Sequence, residues 1–206
     1  MNNVLPDSVA LELQKHLADA GVEWHLGTTA KSLNYNDGGF NLVLNNGTVI
    51  EPDLVVSAVG LRANTLLASQ AGLAVNRGII TNALLQTTED DIYALGDCAE
   101  VMGHNLLFIT PLLAAAKALG KTLAGETTEV NYPAMPVAVK TPLYPLVLAS
   151  PARGLQGEWV FEKAESGFGI KGLFVDSSEA LLGFVLSGDC VKDKHTITKQ
   201  LPSIYP

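Results

Sequence analysis

Apolar residues recur every four positions at Val9, Leu13 and Leu17, which lays one stripe along a helix. Pro6 precedes, Asp7 or Ser8 can cap, and Gly21 can close the far end, so the pattern predicts a helix over 7–20. A short strand at 22–26 follows. Phe40, Leu42 and Leu44 alternate between two turn signals, Asn36-Asp37-Gly38-Gly39 and Asn45-Asn46-Gly47; this predicts a β-meander of about three strands over 29–50. Residues 54–59 form a continuous apolar run, as expected of a strand buried on both faces in a parallel sheet. The run ends in Gly60-Leu61-Arg62-Ala63-Asn64, and 64–71 reads as a short helix. Further strands are expected at 78–80 and 92–95. After Pro111 the residues Leu112, Leu113, Ala114, Ala115, Leu119 and Leu123 carry a helix to Gly125, with proline in its first turn and glycine just past its end.

From Tyr132 the pattern changes. Pro133, Pro136, Pro142, Pro145 and Pro151 cut the chain into short pieces. Strands are expected near 144–149, 158–163, 168–175 and 180–187, and a final helix over 191–200. The fold class is therefore α/β: a β-meander plus parallel strands and helices, then a small α+β unit.

Composition adds limits. Hydrophobic residues make up 48% and charged residues 17% of 206, which suits a core-forming protein. The net charge of −8 is uneven: 6 Lys/Arg against 14 Asp/Glu in 1–139, and 7 against 7 in 140–206. The acidic part argues against a nucleic-acid partner. Lys192, Lys194, His195 and Lys199 form a local basic run, either a solvated helix face or a docking patch for an acidic protein. Two cysteines, Cys98 and Cys190, lack any Cys-x-x-Cys or zinc spacing, as expected of free thiols in a reducing compartment. No apolar run approaches a membrane span and no signal-peptide layout is seen, so a soluble cytoplasmic protein is expected.

The chemistry concentrates at 92–97. A short apolar strand, Ile92 to Leu95, runs into Gly96-Asp97. Glycine permits a tight turn and close approach to a ligand. Asp97 is then expected at the carboxyl end of a strand, where open α/β sheets bind ligands, and its carboxylate can accept hydrogen bonds from sugar-alcohol hydroxyls. The plainer alternative is a strand-to-loop turn with a solvated aspartate. Downstream, the helix opened by Thr110, Pro111 and Leu112 presents unsatisfied N–H groups and a partial positive charge at its start; its plainer alternative is an amphipathic packing helix.

Four features in this order resemble the FAD-dependent pyridine nucleotide-disulfide oxidoreductases. Residues 53–64, with Gly60, are similar to the segment that closes the NAD(P)H domain. Residues 78–88 resemble the lead into the second FAD motif, Gly96-Asp97 is similar to that motif, and Thr110-Pro111 opens a helix after it. Val139-Lys140-Thr141-Pro142 and the later Gly-Asp-Cys-Val resemble the small C-terminal domain of the rubredoxin–NAD(+) reductase branch. The resemblance implies three parts: 1–82 from an NAD(P)H domain, 83–131 a returning FAD segment, and 132–206 the C-terminal domain. It implies that Asp97 holds the ribityl chain and Gly96 allows close approach. The helix start at Thr110, Pro111 and Leu112 would face the flavin's N1–C2=O edge, favouring the anionic reduced form, and Gly60 would lie near the nicotinamide path. Lys140 would approach the flavin or an anionic partner, or is a surface lysine beside a turn.

The sequence also departs from the family. No Gly-x-Gly-x-x-Gly occurs, whereas a complete reductase carries two, each gripping a pyrophosphate at a helix N-terminus. The resemblance is thus to the C-terminal half of such an enzyme, as a truncated product, a domain product or one piece of a split gene. No dithiol pair or C-terminal His-Pro occurs, and Cys98 reads as a packing residue rather than a nucleophile. The implied activity is electron transfer from NADH through FAD to rubredoxin or a similar one-electron iron protein. The alternatives are a non-catalytic partner-binding module, and a ferredoxin or nitrite reductase-type flavoprotein. An unpaired strand at 54–59 would expose sheet edges and favour homo-oligomers.

Overall fold

The computed structural model describes residues 5–36, 38–152, 154–165 and 167–205, so Asp37 of the first turn signal lies outside the described residues. The chain divides into two compact units, 11–60 and 1–10 with 61–206. Helix α1, Asp7–Asp19, runs from one into the other. Val9 and Leu13 of its predicted stripe are buried. Gly21 ends it at φ +96°, with its N–H donating to Ala18 (2.9 Å) and that of Val22 to Leu17 (3.0 Å). This paired arrangement satisfies the last helical carbonyls, and its left-handed residue is one that glycine adopts without strain.

Within 11–60, strands β1 (Ala30–Asn36), β2 (Gly39–Leu44) and β3 (Val49–Ile50) form the expected antiparallel meander in sequence order. Two predicted strands of this unit are absent. Residues 22–26 and 54–59 carry no ladder pairing. Leu54, Val56 and Val59 are 75%, 77% and 94% exposed. A β-strand exists by virtue of its neighbours, and no described strand lies against either run. Apolar sequence alone does not supply the missing hydrogen-bond partners.

In the other unit, α2 is Leu66–Gln70, shorter than the expected 64–71. Strand β4 is Ile79–Thr81 and β5 is Ala99–Val101; they pair in parallel. Residues 92–95 were the expected strand. They are extended but make only the bridge of Tyr93 to Gln86, and the strand that joins β4 begins after Gly96-Asp97 instead. The pairing of β4 is set by close backbone approach: a Cβ on Gly78 would sit 2.8 Å from the backbone of Ala99 and Glu100. Helix α3, Ile109–Leu123, starts two residues before Pro111, which still falls in the first turn. It packs Ala115, Ala118 and Leu119 into a core with Leu85, Ala94, Ala99, Val101, Val130 and Tyr132.

The C-terminal part is a five-stranded antiparallel sheet, ordered β6-β7-β10-β9-β8. Its strands are β6 (Val137–Val139), β7 (Leu146–Ala149), β8 (Glu158–Lys163), β9 (Ile170–Val175) and β10 (Leu181–Ser187). Four match the sequence reading; β6 was not expected. The expected helix over 191–200 resolves into a 3-10 turn, Gly188–Asp193, followed by α4, Lys194–Thr198. Cys190 and Ile197 of this segment pack on Val147, Phe184 and Leu186, which explains why it caps one sheet face. On the opposite alternation, the buried Ser187 hydroxyl receives Tyr144 Oη (2.9 Å) and Ile170 N–H (2.8 Å), so the polar group inside this sheet is fully used.

Candidate functional site

The site is built on the crossing from Leu95 to β5. Leu95 is extended at φ −147°, ψ 164°, and Gly96 then turns at φ +77°. Residues Gly96–Cys98 form a single 3-10 turn. Asp97 therefore precedes a strand, not follows one as its sequence suggested. Asn105 staples the turn: its Nδ2 donates to the carbonyls of Asp97 (3.2 Å) and Ala99 (2.8 Å). Below it, the buried Glu100 carboxylate accepts from Gly78 N–H (3.1 Å) and Asn76 Nδ2 (3.0 Å), with Arg77 at 3.9 Å. Glu100 is 4% exposed, and a buried carboxylate needs such donors. It thereby pins the loop ahead of β4 to β5.

Helix α3 supplies the other wall. Phe108 stands at its N-cap without a side-chain cap. Among the described residues, the N–H groups of Ile109 and Thr110, in the first turn, thus have no intrahelical acceptor and no cap from Phe108, and Pro111 has no N–H at all. Ile109 and Thr110 are exposed, Pro111 is buried and Leu112 half-buried. A Cβ placed on Gly96 would lie 3.0 Å from Leu112 Cδ1, so the turn and the helix start are in contact. Between them is a small cavity lined by Gly96, His104, Pro111, Leu112 and Tyr132 among others. Burial pushes the Tyr132 hydroxyl up from its ordinary pKa.

Among the described residues, the exposed Asp97 carboxylate makes no hydrogen bond or ion pair. Asp97 follows directly on the Gly96 turn, which meets the first turn of α3 at Leu112, where a glycine leaves room that a side chain would take. This set can grip a ligand carrying both hydroxyls and electron-rich oxygens. A polyol-bearing, carbonyl-bearing group such as a flavin nucleotide fits that donor and acceptor set.

Of the residues singled out from sequence, Gly96, Pro111 and Leu112 line one cavity, with Asp97 and Thr110 directly adjacent in the chain. Gly60 is exposed, at φ +106°, in the 11–60 unit. Lys140 is exposed just beyond β6 and does not line the cavity. Sequence reasoning missed Tyr132, His104, Asn105 and Glu100, which no motif flags. Among the described residues, no His, Cys, Asp and Glu cluster could hold a metal, and no helix is long and apolar enough to cross a membrane.

Comparisons with known proteins bear on the family of the chain. Residues 1–135 match the family described as pyridine nucleotide-disulphide oxidoreductase, and residues 129–201 match the rubredoxin binding C-terminal domain. The chain is 46% identical over 204 residues to the rubredoxin-NAD(+) reductase of Alcanivorax borkumensis, covering 98% of this chain and 53% of that protein. It is 43% identical to that of Acinetobacter baylyi, covering 100% and 53%. The chain spans about half the length of the curated relatives it matches. A solved ferredoxin reductase from Rhodopseudomonas palustris shares the fold at TM-score 0.82 and 22% identity, over 100% of this chain and 52% of that one.

Proposed function

This chain belongs to the pyridine nucleotide-disulphide oxidoreductase family, and from that premise we propose that it supplies part of a flavin-dependent NADH reductase serving rubredoxin or a similar one-electron iron protein. The single observation that carries the cofactor assignment is the contact between the Gly96 turn and the first turn of α3, which has no side-chain cap, with Asp97 next in the chain. The match of 129–201 to a rubredoxin binding domain supports the acceptor.

When bound, FAD would supply the chemistry that takes a hydride from NADH and releases single electrons. The residues of this chain bind and orient. Asp97 accepts hydrogen bonds from the ribityl hydroxyls. Gly96 keeps the approach open. The N–H groups of Ile109 and Thr110, at the positive end of α3, favour negative charge on the carbonyl edge of the reduced ring, and Pro111 and Leu112 shape that wall. Gly60 lies on the nicotinamide path, and Lys140 approaches the flavin or the anionic partner. Three functional parts are assigned: 1–82 to nicotinamide binding, 83–131 to FAD binding and 132–206 to the iron protein.

A second reading has its own support in the independent match of 129–201: a module that binds the iron protein without turnover. An absorbance spectrum of the purified chain, taken after incubation with FAD and desalting, separates the two. Retained flavin absorbance is the expected result, and reduction by NADH is then tested on that sample. A colourless protein that still binds rubredoxin would overturn cofactor retention by these residues and leave the module.

A further inference from the structure

The 3-10 turn Gly188–Asp193 and α4 together present two faces of opposite character. Cys190 and Ile197 are buried against Val147, Phe184 and Leu186 of the sheet. Lys192, His195 and Lys199 follow one another at intervals of three and four residues, which sets them on one stripe, and all three are exposed. None of them takes part in a hydrogen bond or ion pair among the described residues. The acids of the same segment do not neutralise them: Asp189 accepts the N–H of Phe168 (3.0 Å), and Asp193 is half-buried.

Three further observations set this stripe apart from a solvated face. The chain as a whole carries a net charge of −8, so a nucleic acid or an anionic membrane that reached the stripe would also meet repulsion from the rest of the molecule. A partner the size of one small domain would not. Next, Phe168 is 43% exposed and is held at the start of the same segment, its carbonyl accepting from the Asp189 N–H (2.9 Å). An exposed aromatic beside free cations is the make-up of a protein-docking surface. Finally, the chain beyond the stripe returns to the candidate cofactor site. The Ile204 N–H donates to the Tyr132 carbonyl (2.7 Å), and Tyr132 lines the cavity beside Gly96. Lys199 and Ile204 are five residues apart, at most about 18 Å of extended chain. A protein interface of about 800 Å² per partner spans that distance.

We propose that the stripe of Lys192, His195 and Lys199, with Phe168 at its edge, is the docking surface for an acidic face of the iron protein that takes electrons from this reductase. The inference rests on the acceptor reading above and adds to it a surface and a sign of charge. Cations without internal partners pair with the incoming acids and break no ion pair of their own, and they act chiefly on the rate of encounter.

The test follows the fluorescence anisotropy of a dye-labelled rubredoxin of negative net charge at low and at high salt. It compares wild type with Lys192→Glu/Lys199→Glu and with Lys192→Arg/Lys199→Arg. A control, Lys15→Glu/Lys31→Glu, makes the same change of charge at exposed lysines of α1 and β1. The expected result is an affinity about tenfold lower for the 192/199 glutamate pair at low salt, a gap that closes at high salt, and near wild-type binding by the arginine pair and the control. Unchanged binding by the 192/199 glutamate pair would overturn the proposal. So would an equal fall in the control, which would assign the effect to net charge, or a gap that persists at high salt, which would assign it to altered packing. If the 192/199 glutamate pair binds rubredoxin as wild type does and loses only retention by vesicles of anionic lipid, the surface belongs to a membrane and the proposal falls. Wild type that binds no rubredoxin would instead bring down the acceptor reading, and this inference with it.

Discussion

Gly96 and Asp97 are neighbours with opposite physical roles, and substitution separates them. Asp97 is exposed and unpaired among the described residues, so Asp97→Ala should leave stability within about 0.5 kcal/mol of wild type. Its FAD retention after desalting should nevertheless fall. An unaltered flavin content in Asp97→Ala would remove the aspartate from the site. Gly96→Ala acts on the fold instead. At φ +77° an alanine is strained by about 1–2 kcal/mol, and its Cβ must displace the tip of Leu112. Thermal unfolding of the flavin-free protein should record that loss. A Gly96→Ala midpoint equal to wild type would mean the turn relaxes at no cost.

Between elements, the β4–β5 pair depends on Glu100 more than on its own three ladder positions. The carboxylate accepts from the buried Gly78 N–H and, in a half-buried hydrogen bond, from the Asn76 amide, while Arg77, mostly exposed, contributes little at 3.9 Å. Glu100→Ala would leave buried donors unmet, at about 1–3 kcal/mol for each such group. Chemical denaturation should show that loss at unchanged denaturant slope. Arg77→Ala, which also removes a 2.7 Å hydrogen bond to the Gly103 carbonyl, should still cost less than half as much, and equal losses would take from the Glu100 carboxylate its leading part in the clamp. Helix ends, in contrast, were legible from sequence. Gly21 and Gly125 both take positive φ just past α1 and α3, because the left-handed residue that closes a helix favours glycine whatever surrounds it.

At the level of the whole chain, the apolar run at 54–59 is the element without a ladder partner among the described residues. Leu54, Val56 and Val59 are largely exposed, and exposed apolar segments of strand-forming sequence promote association. Sedimentation or light scattering should therefore show concentration-dependent association. The double variant Val56→Lys with Val59→Lys should suppress it without loss of the helices. Monomeric wild type at all concentrations would refute this surface as a contact. The same run shows where sequence reading stops: its composition is that of a buried strand, but burial requires neighbours that composition cannot provide.

Local rules determined much of this protein from sequence alone. Stripe spacing placed α1 and α3, alternation between turn signals placed β1 to β3, and β8 to β10 lie close to where their patterns put them. The order of Gly60, Gly96-Asp97, Thr110-Pro111 and Val139-Lys140 also carried the family resemblance, because a motif order is a property of the chain itself. Tertiary structure decided the rest. It moved the strand from 92–95 to the far side of Gly96-Asp97, since a strand forms where a partner offers a ladder. It brought Asn105, Glu100 and Tyr132 to the site from positions with no motif. Their places depend on a bend, a buried carboxylate and the backbone hydrogen bonds of Tyr132 with Ile204 and Tyr205, all of which exist only once distant segments have met.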